Sequence, residues 1–209
     1  MFLYVIGVIS TTNPSFKSAK EAAKLYPPHS QISVYIDSQG GLIDEAYEFG
    51  KALSVLRPTC FVKNAASAAL EVIMPACQKI VLMPESTLQF HSATWCIQGM
   101  RSTADILKDL RQGLAVSVFM AELMENLWGP AVCSKEINAK YPELSSFNCS
   151  LRHMIDETSL TGSQFTVLYP GAAKRVTILP KEKFPQIKKI PVEEGAIEKK
   201  RNPKECEVF

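Results

Sequence analysis

No stretch of the 209-residue chain reaches the roughly 18 consecutive apolar residues that a membrane-spanning helix needs, so no such helix is expected. There is no C-x-x-C pair: Cys60, Cys77, Cys96, Cys133, Cys149 and Cys206 fall at irregular spacings, which argues against a zinc site and a disulfide scaffold. All six are expected as reduced, small core residues. Histidine is scarce, with only His29, His91 and His153, so candidate catalytic bases are few. Strong charge of either sign is also missing, at a net +2, and a nucleic-acid surface is not expected. The apolar opening Met1 to Ile9 has no basic segment before it and no small-residue cleavage site after it. It reads as a buried strand, not a secretion signal, and a cytoplasmic location is expected.

The near-neutral total conceals a division. Residues 1–170 carry 13 Lys and Arg against 15 Asp and Glu, net −2, while residues 171–209 carry 10 against 6, net +4. The later region also holds Pro180, Pro185, Pro191 and Pro203 and few apolar runs. The expected organisation is a body over residues 1–162 and a basic, proline-containing, partly disordered extension over 163–209, whose lysines are solvated.

Within the body, β-branched runs alternate with helical patterns, the signature of α/β architecture. Strands are expected at Phe2 to Ile9, Ile32 to Ile36, Cys60 to Val62, Ile80 to Met83 and Thr87 to His91. A short helix is expected from Ser18 to Leu25, and another after the glycines with Ile43, Ala46, Tyr47 and Leu53 inward. A helical stretch follows Ser67 until it breaks near Pro75. Ser102 and Asp105 form a capping box for a long helix to about Trp128, with Ile106, Leu110, Leu114 and Val118 as its inner stripe.

Three features stand in a telling order. A strand ends in Asp37-Ser-Gln-Gly40-Gly41; about 25 residues on, Ala65-Ala-Ser67-Ala-Ala lies at a strand-to-helix junction; 24 residues later His91 closes a strand. A serine hydroxyl becomes a nucleophile when a base takes its proton and backbone N–H groups stabilise the developing oxyanion. Small neighbours around Ser67 let a substrate approach the backbone. The Ala68 N–H supplies one oxyanion donor, and Gly41, without a Cβ, a second.

These residues resemble the proteolytic subunits of Clp-type serine proteases, within the Clp/crotonase fold, over roughly residues 2–160. Phe2-Leu-Tyr-Val-Ile-Gly is similar to the family's first core strand, and Val34-Tyr-Ile-Asp-Ser-Gln-Gly-Gly to its Gly-Gly turn. Ala65-Ala-Ser-Ala is similar to its nucleophile motif, and Val81-Leu-Met-Pro-Glu-Ser-Thr-Leu-Gln-Phe-His to its histidine strand. The Met-Pro element looks most like compact phage and prophage members. The resemblance implies a Clp/crotonase-like stacked β-sheet core with surrounding helices and a protruding handle helix, which packs subunits into stacked homo-oligomeric rings. It implies Ser67 as nucleophile, His91 as general base and acid, Gly41 and Ala68 as oxyanion hole, peptide or unfolded-protein substrates, no cofactor or metal, and a setting such as phage-protein processing.

The chain departs from the family at three places. Where members carry an orienting Asp, it reads Tyr141-Pro-Glu-Leu-Ser-Ser; Ser145 falls nearest, Glu143 is an alternative, and Asp156 belongs to a structural motif. Glu71 lies in a helix that is normally apolar. The chain begins in the first strand, without the segment that forms axial loops, so an ATP-driven unfoldase partner is not expected. Two further readings stand beside the peptidase: a catalytically degenerate ring subunit acting as a scaffold, and a crotonase-type acyl-CoA enzyme, disfavoured by the Ser-His spacing. His29 and His153 are expected to be structural or solvated.

Overall fold

The computed structural model describes residues 1–90, 102–132, 134–140, 142 and 158–186. Six strands, β1 (Phe2–Ile9), β2 (Ser33–Gly41), β3 (Thr59–Ala66), β4 (Lys79–Phe90), β5 (Thr158–Thr161) and β6 (Val176–Ile178), form one sheet. The first four pair in sequence order and in parallel, β6 runs parallel to β4, and β5 runs antiparallel to it. Helices α1 (Pro14–Leu25) and α2 (Ile43–Leu56) serve as crossovers, followed by α3 (Thr103–Trp128), α4 (Lys135–Lys140) and α5 (Gly162–Leu168). The expected α/β class is what the chain adopts. Among the described residues, no helix is long and apolar enough to cross a membrane.

Every strand of the parallel set is interrupted at the same height. The register slips at Gly7 between β1 and β2, at Lys63 between β2 and β3, and again between β3 and β4, where Lys63 lies opposite the whole Met83–Ser86 stretch. The line divides the sheet into a lower tier and an upper tier. β6 joins β4 only in the lower tier, at Ile80 to Leu82, and β5 only in the upper, at Thr87 to Phe90.

A broken ladder leaves backbone donors and acceptors that burial makes costly. Side chains satisfy them here. Asn13 Nδ2 donates to Ile6 O at 2.8 Å and Val8 O at 2.6 Å, straddling Gly7, while its Oδ1 accepts from Ser15 N at the start of α1. Ser38 Oγ donates to Gly7 O at 2.7 Å and accepts from Gly40 N. Buried Ser86 accepts from Met83 N at 2.8 Å and donates to Val62 O at 2.6 Å. At the exposed margin, Asp37 accepts from Lys63 Nζ and Asn64 Nδ2, and this bond raises the Lys63 pKa.

The lower tier is sealed on both faces. Val5, Val34, Ile36, Val62, Ile80 and Leu82 belong to the main core with Phe16 of α1 and Phe49 and Leu53 of α2. On the opposite face, Tyr35, Val81 and Met83 pack under Phe184, whose ring stands edge-on to Tyr35 and Phe61.

Several expectations are corrected. The expected domain limit at 162/163 is not a structural one as far as residue 186: Phe165, Leu168, Tyr169, Ala172, Val176 and Phe184 are buried, and β6 is a strand of the sheet. Burial of these apolar residues decides where this segment lies, whatever its charge; residues 187–209 lie outside the described set. Cys60 and Cys77 form a disulfide rather than two reduced thiols, because the starts of β3 and β4 are neighbours and bring their Cα atoms to 5.8 Å. The strands expected at Ile80 to Met83 and from Thr87 are one strand carried through the Pro84 bulge. α1 begins earlier than expected, since Pro14 stands in the first turn, where its missing N–H costs nothing. Tyr47 faces outward, and Phe49 and Leu56 take its place in the core.

Helix α3 does start at Ser102, whose Oγ accepts from Asp105 N. Half of its expected inner stripe does not face the body: Leu110 and Leu114 are 58% and 63% exposed, whereas Ile106 and Val118 are half-buried. Its last turns enter the core through Met124 and Trp128.

Candidate functional site around Ser67

β3 runs through Ala65 and Ala66 to Ser67, and the chain then enters a π-helical turn, Ala69–Ile73, and a 3₁₀ turn, Met74–Ala76. Ser67 takes a left-handed conformation with φ of 50°, one of three described non-glycine residues with positive φ. Such a conformation costs on the order of 1–3 kcal/mol and persists where the surroundings impose it. The Ser67 N–H donates to Gln89 O of β4 at 3.1 Å, and its carbonyl accepts from both Leu70 N at 2.9 Å and Glu71 N at 2.8 Å.

The adjacent strand explains the two glycines. A Cβ on Gly40 would stand 2.6 Å from Ala66 O, 2.6 Å from Ser67 Cβ and 3.2 Å from Ala68 N. A Cβ on Gly41 would strike Ile9 O of β1 at 2.3 Å. Gly40 is therefore the glycine packed against the serine turn, and Gly41 lets β1 and β2 close on each other. The contact of Gly40 with the serine turn was not legible in the sequence, since a Gly-Gly pair does not say which member packs against which neighbour. Among the described residues the Ala68 N–H has no acceptor.

Ser67 is buried, with 8% of its surface exposed, between Ala65, Ala66, Ala68 and Ala69. Glu71, one turn on, is half-buried, and desolvation pushes its carboxyl pKa up to about 7. Among the described residues no three His, Cys, Asp or Glu side chains are grouped to hold a metal ion.

β4 adjoins β3 in the upper tier, with Ala65 opposite Leu88 and Ala66 opposite Gln89. Leu88 and Phe90 are buried and Thr87 is exposed, the alternation read from the sequence. Phe90 is the last described residue of β4; His91 follows it in the chain and lies outside the described residues. Glu143, Ser145, His153 and Asp156 lie outside them as well. Of the sequence-derived set, the structure thus describes Ser67, Gly41 and Ala68, and it brings Ala68 and Ser67 together beside Gly40. No family model matches this chain, and no curated protein matches it.

Proposed function

We propose that the chain is a serine peptidase with a Clp/crotonase-type sheet, cleaving peptides or unfolded protein chains through an acyl-enzyme on Ser67. The observation that carries this reading is Ser67 itself: a serine held left-handed at the sharp turn from a parallel strand into a helix, pressed against a glycine of the neighbouring strand. A turn of that kind keeps a short side chain at the sheet's carboxyl end, where ligands of open α/β sheets bind.

In the proposed reaction His91 Nε2 takes the proton of Ser67 Oγ as the oxygen attacks the peptide carbonyl carbon. The carbonyl oxygen gains the electron pair and is held by the Ala68 and Gly41 N–H groups. Loss of one such donor costs about 2.7–4 kcal/mol of barrier stabilisation. Collapse breaks the C–N bond as His91 gives the proton to the leaving amine; water, deprotonated by His91, then attacks the ester carbon, the C–Oγ bond breaks, and His91 returns the proton to Ser67 Oγ as the acid product leaves. The Ser67 N–H to Gln89 O bond supports this assignment, because it ties the turn to β4 two residues before His91.

Self-assembly into rings belongs to the same proposal. Leu107, Leu110 and Leu114 present an exposed apolar strip along α3, and burial against a second copy would remove it from water. Fluorogenic peptides and an unfolded protein are the test of activity. Hydrolysis by the wild type that Ser67→Ala abolishes supports the peptidase; an assembled, folded wild type that cleaves none of them favours the scaffold reading.

A further inference from the structure

We propose that the Cys60–Cys77 disulfide is a redox-sensitive clamp that sets the conformation of the Ser67 turn. Its effect on chemistry rests on the peptidase reading; its effect on the backbone does not.

The bond joins residues separated by 17 positions, and the loop it closes holds the upper tier of β3, Ser67, the π turn and the 3₁₀ turn. The two ends of the returning segment are pinned. At one end the Ser67 N–H is bound to Gln89 O. At the other, Cys77 is tied to Cys60, and Arg175 Nη2 donates to Pro75 O at 2.8 Å and to Cys77 O. The Arg175 guanidinium is itself seated over the Trp128 ring, 5.3 Å from its centroid.

Between these anchors the chain does not form an ordinary α-helix. Met74 N bonds back to Ala69 O, a π-type span, and Cys77 N bonds to Met74 O, a 3₁₀ span. π turns advance less per residue than α turns and 3₁₀ turns advance more, so the pair accommodates a fixed number of residues between fixed ends. Freeing Cys77 from Cys60 removes the covalent part of this anchor and leaves the Arg175 bonds to Pro75 O and Cys77 O. The segment can then repartition toward uniform i to i−4 bonding, which shifts the backbone that leaves Ser67.

The chemistry is a two-electron thiol–disulfide exchange. A dithiol reductant's thiolate attacks one sulfur and forms a mixed disulfide; its second thiol displaces the protein sulfur. Cys60 and Cys77 leave as thiols, and the reductant leaves as a cyclic disulfide. A disulfide oxidant such as oxidised glutathione reverses the step. Both cysteines are fully buried, so exchange requires local opening of the fold and is slow.

The full chain is prepared in two forms, oxidised with oxidised glutathione and reduced with dithiothreitol. Differential alkylation followed by peptide mapping assigns the bond, and amide exchange and fluorophosphonate labelling are followed in both forms. Expected are a Cys60–Cys77 bond in the oxidised form, exchange at Leu70 to Met74 at least about tenfold faster after reduction while α1 is unchanged, and about tenfold slower Ser67 labelling. The double variant Cys60→Ser/Cys77→Ser should match the reduced form, and if it fails to fold the reduced wild type carries the comparison. Free thiols at both positions after oxidation, or equal exchange in the two forms, overturns the clamp. Redox-dependent exchange with no Ser67 labelling in either form supports the clamp and counts against the peptidase.

Discussion

The two tiers of the sheet use the same four strands for different ends. Below the break, the ladder is regular, β6 extends it, and apolar side chains cover both faces, ending in Phe184 over Tyr35 and Phe61. Above it, the strands carry Gly40, Gly41 and Ser67 in left-handed or closely apposed backbone, and small residues replace branched ones. The lower tier has the packing that stabilises a domain; the upper tier has the close-packed backbone that holds Ser67 in its left-handed turn. The side-chain bonds at the break, from Asn13, Ser38 and Ser86, let one part be irregular without opening the other.

Each tier can be broken separately. The largest effect is expected from ending the chain at residue 170, which removes β6 and Phe184 from the lower tier. The truncated protein should lose its cooperative unfolding transition by circular dichroism; retention of that transition would make the tail dispensable. Next is Gly40→Ala, which forces a Cβ into Ala66 and Ser67 at a φ of 87°. A loss of more than about 3 kcal/mol is expected in urea denaturation, along with loss of Ser67 reactivity. Ser86→Ala should cost about 2–4 kcal/mol, since it strands the Met83 N–H and Val62 carbonyl in a buried place. The smallest effect concerns Glu71. The folded chain keeps its proton up to about pH 7, whereas the unfolded chain releases it in the ordinary carboxylate range. Stability therefore falls as pH rises through that window, and Glu71→Gln should flatten the slope and gain about 2 kcal/mol at pH 8 in parallel urea titrations.

The sequence made the lower tier readable because its signals are local. Alternating branched residues mark the strands, and Ser102 with Asp105 marks the start of α3. What it concealed depends on contacts between distant residues. Phe184 sits in a basic, proline-rich stretch, and only its pairing with Tyr35 and Phe61 shows that it belongs to the core. The Cys60–Cys77 bond follows from β3 and β4 starting side by side, which no spacing of cysteines reveals. The apolar pattern of α3 identifies a helix face but not what covers it, and Leu110 and Leu114 on that face are exposed. At the candidate site, the order of Gly-Gly, Ser67 and His91 was legible; the contact of Gly40 with the Ser67 turn required the sheet.

The central claim is that the upper tier arms Ser67 as a nucleophile. Incubation with a fluorophosphonate, followed by peptide mapping in wild type and His91→Ala, tests it most directly. A single adduct on Ser67 is expected, one that disappears in His91→Ala while both proteins stay folded. A folded wild type with Ser67 unmodified would contradict it.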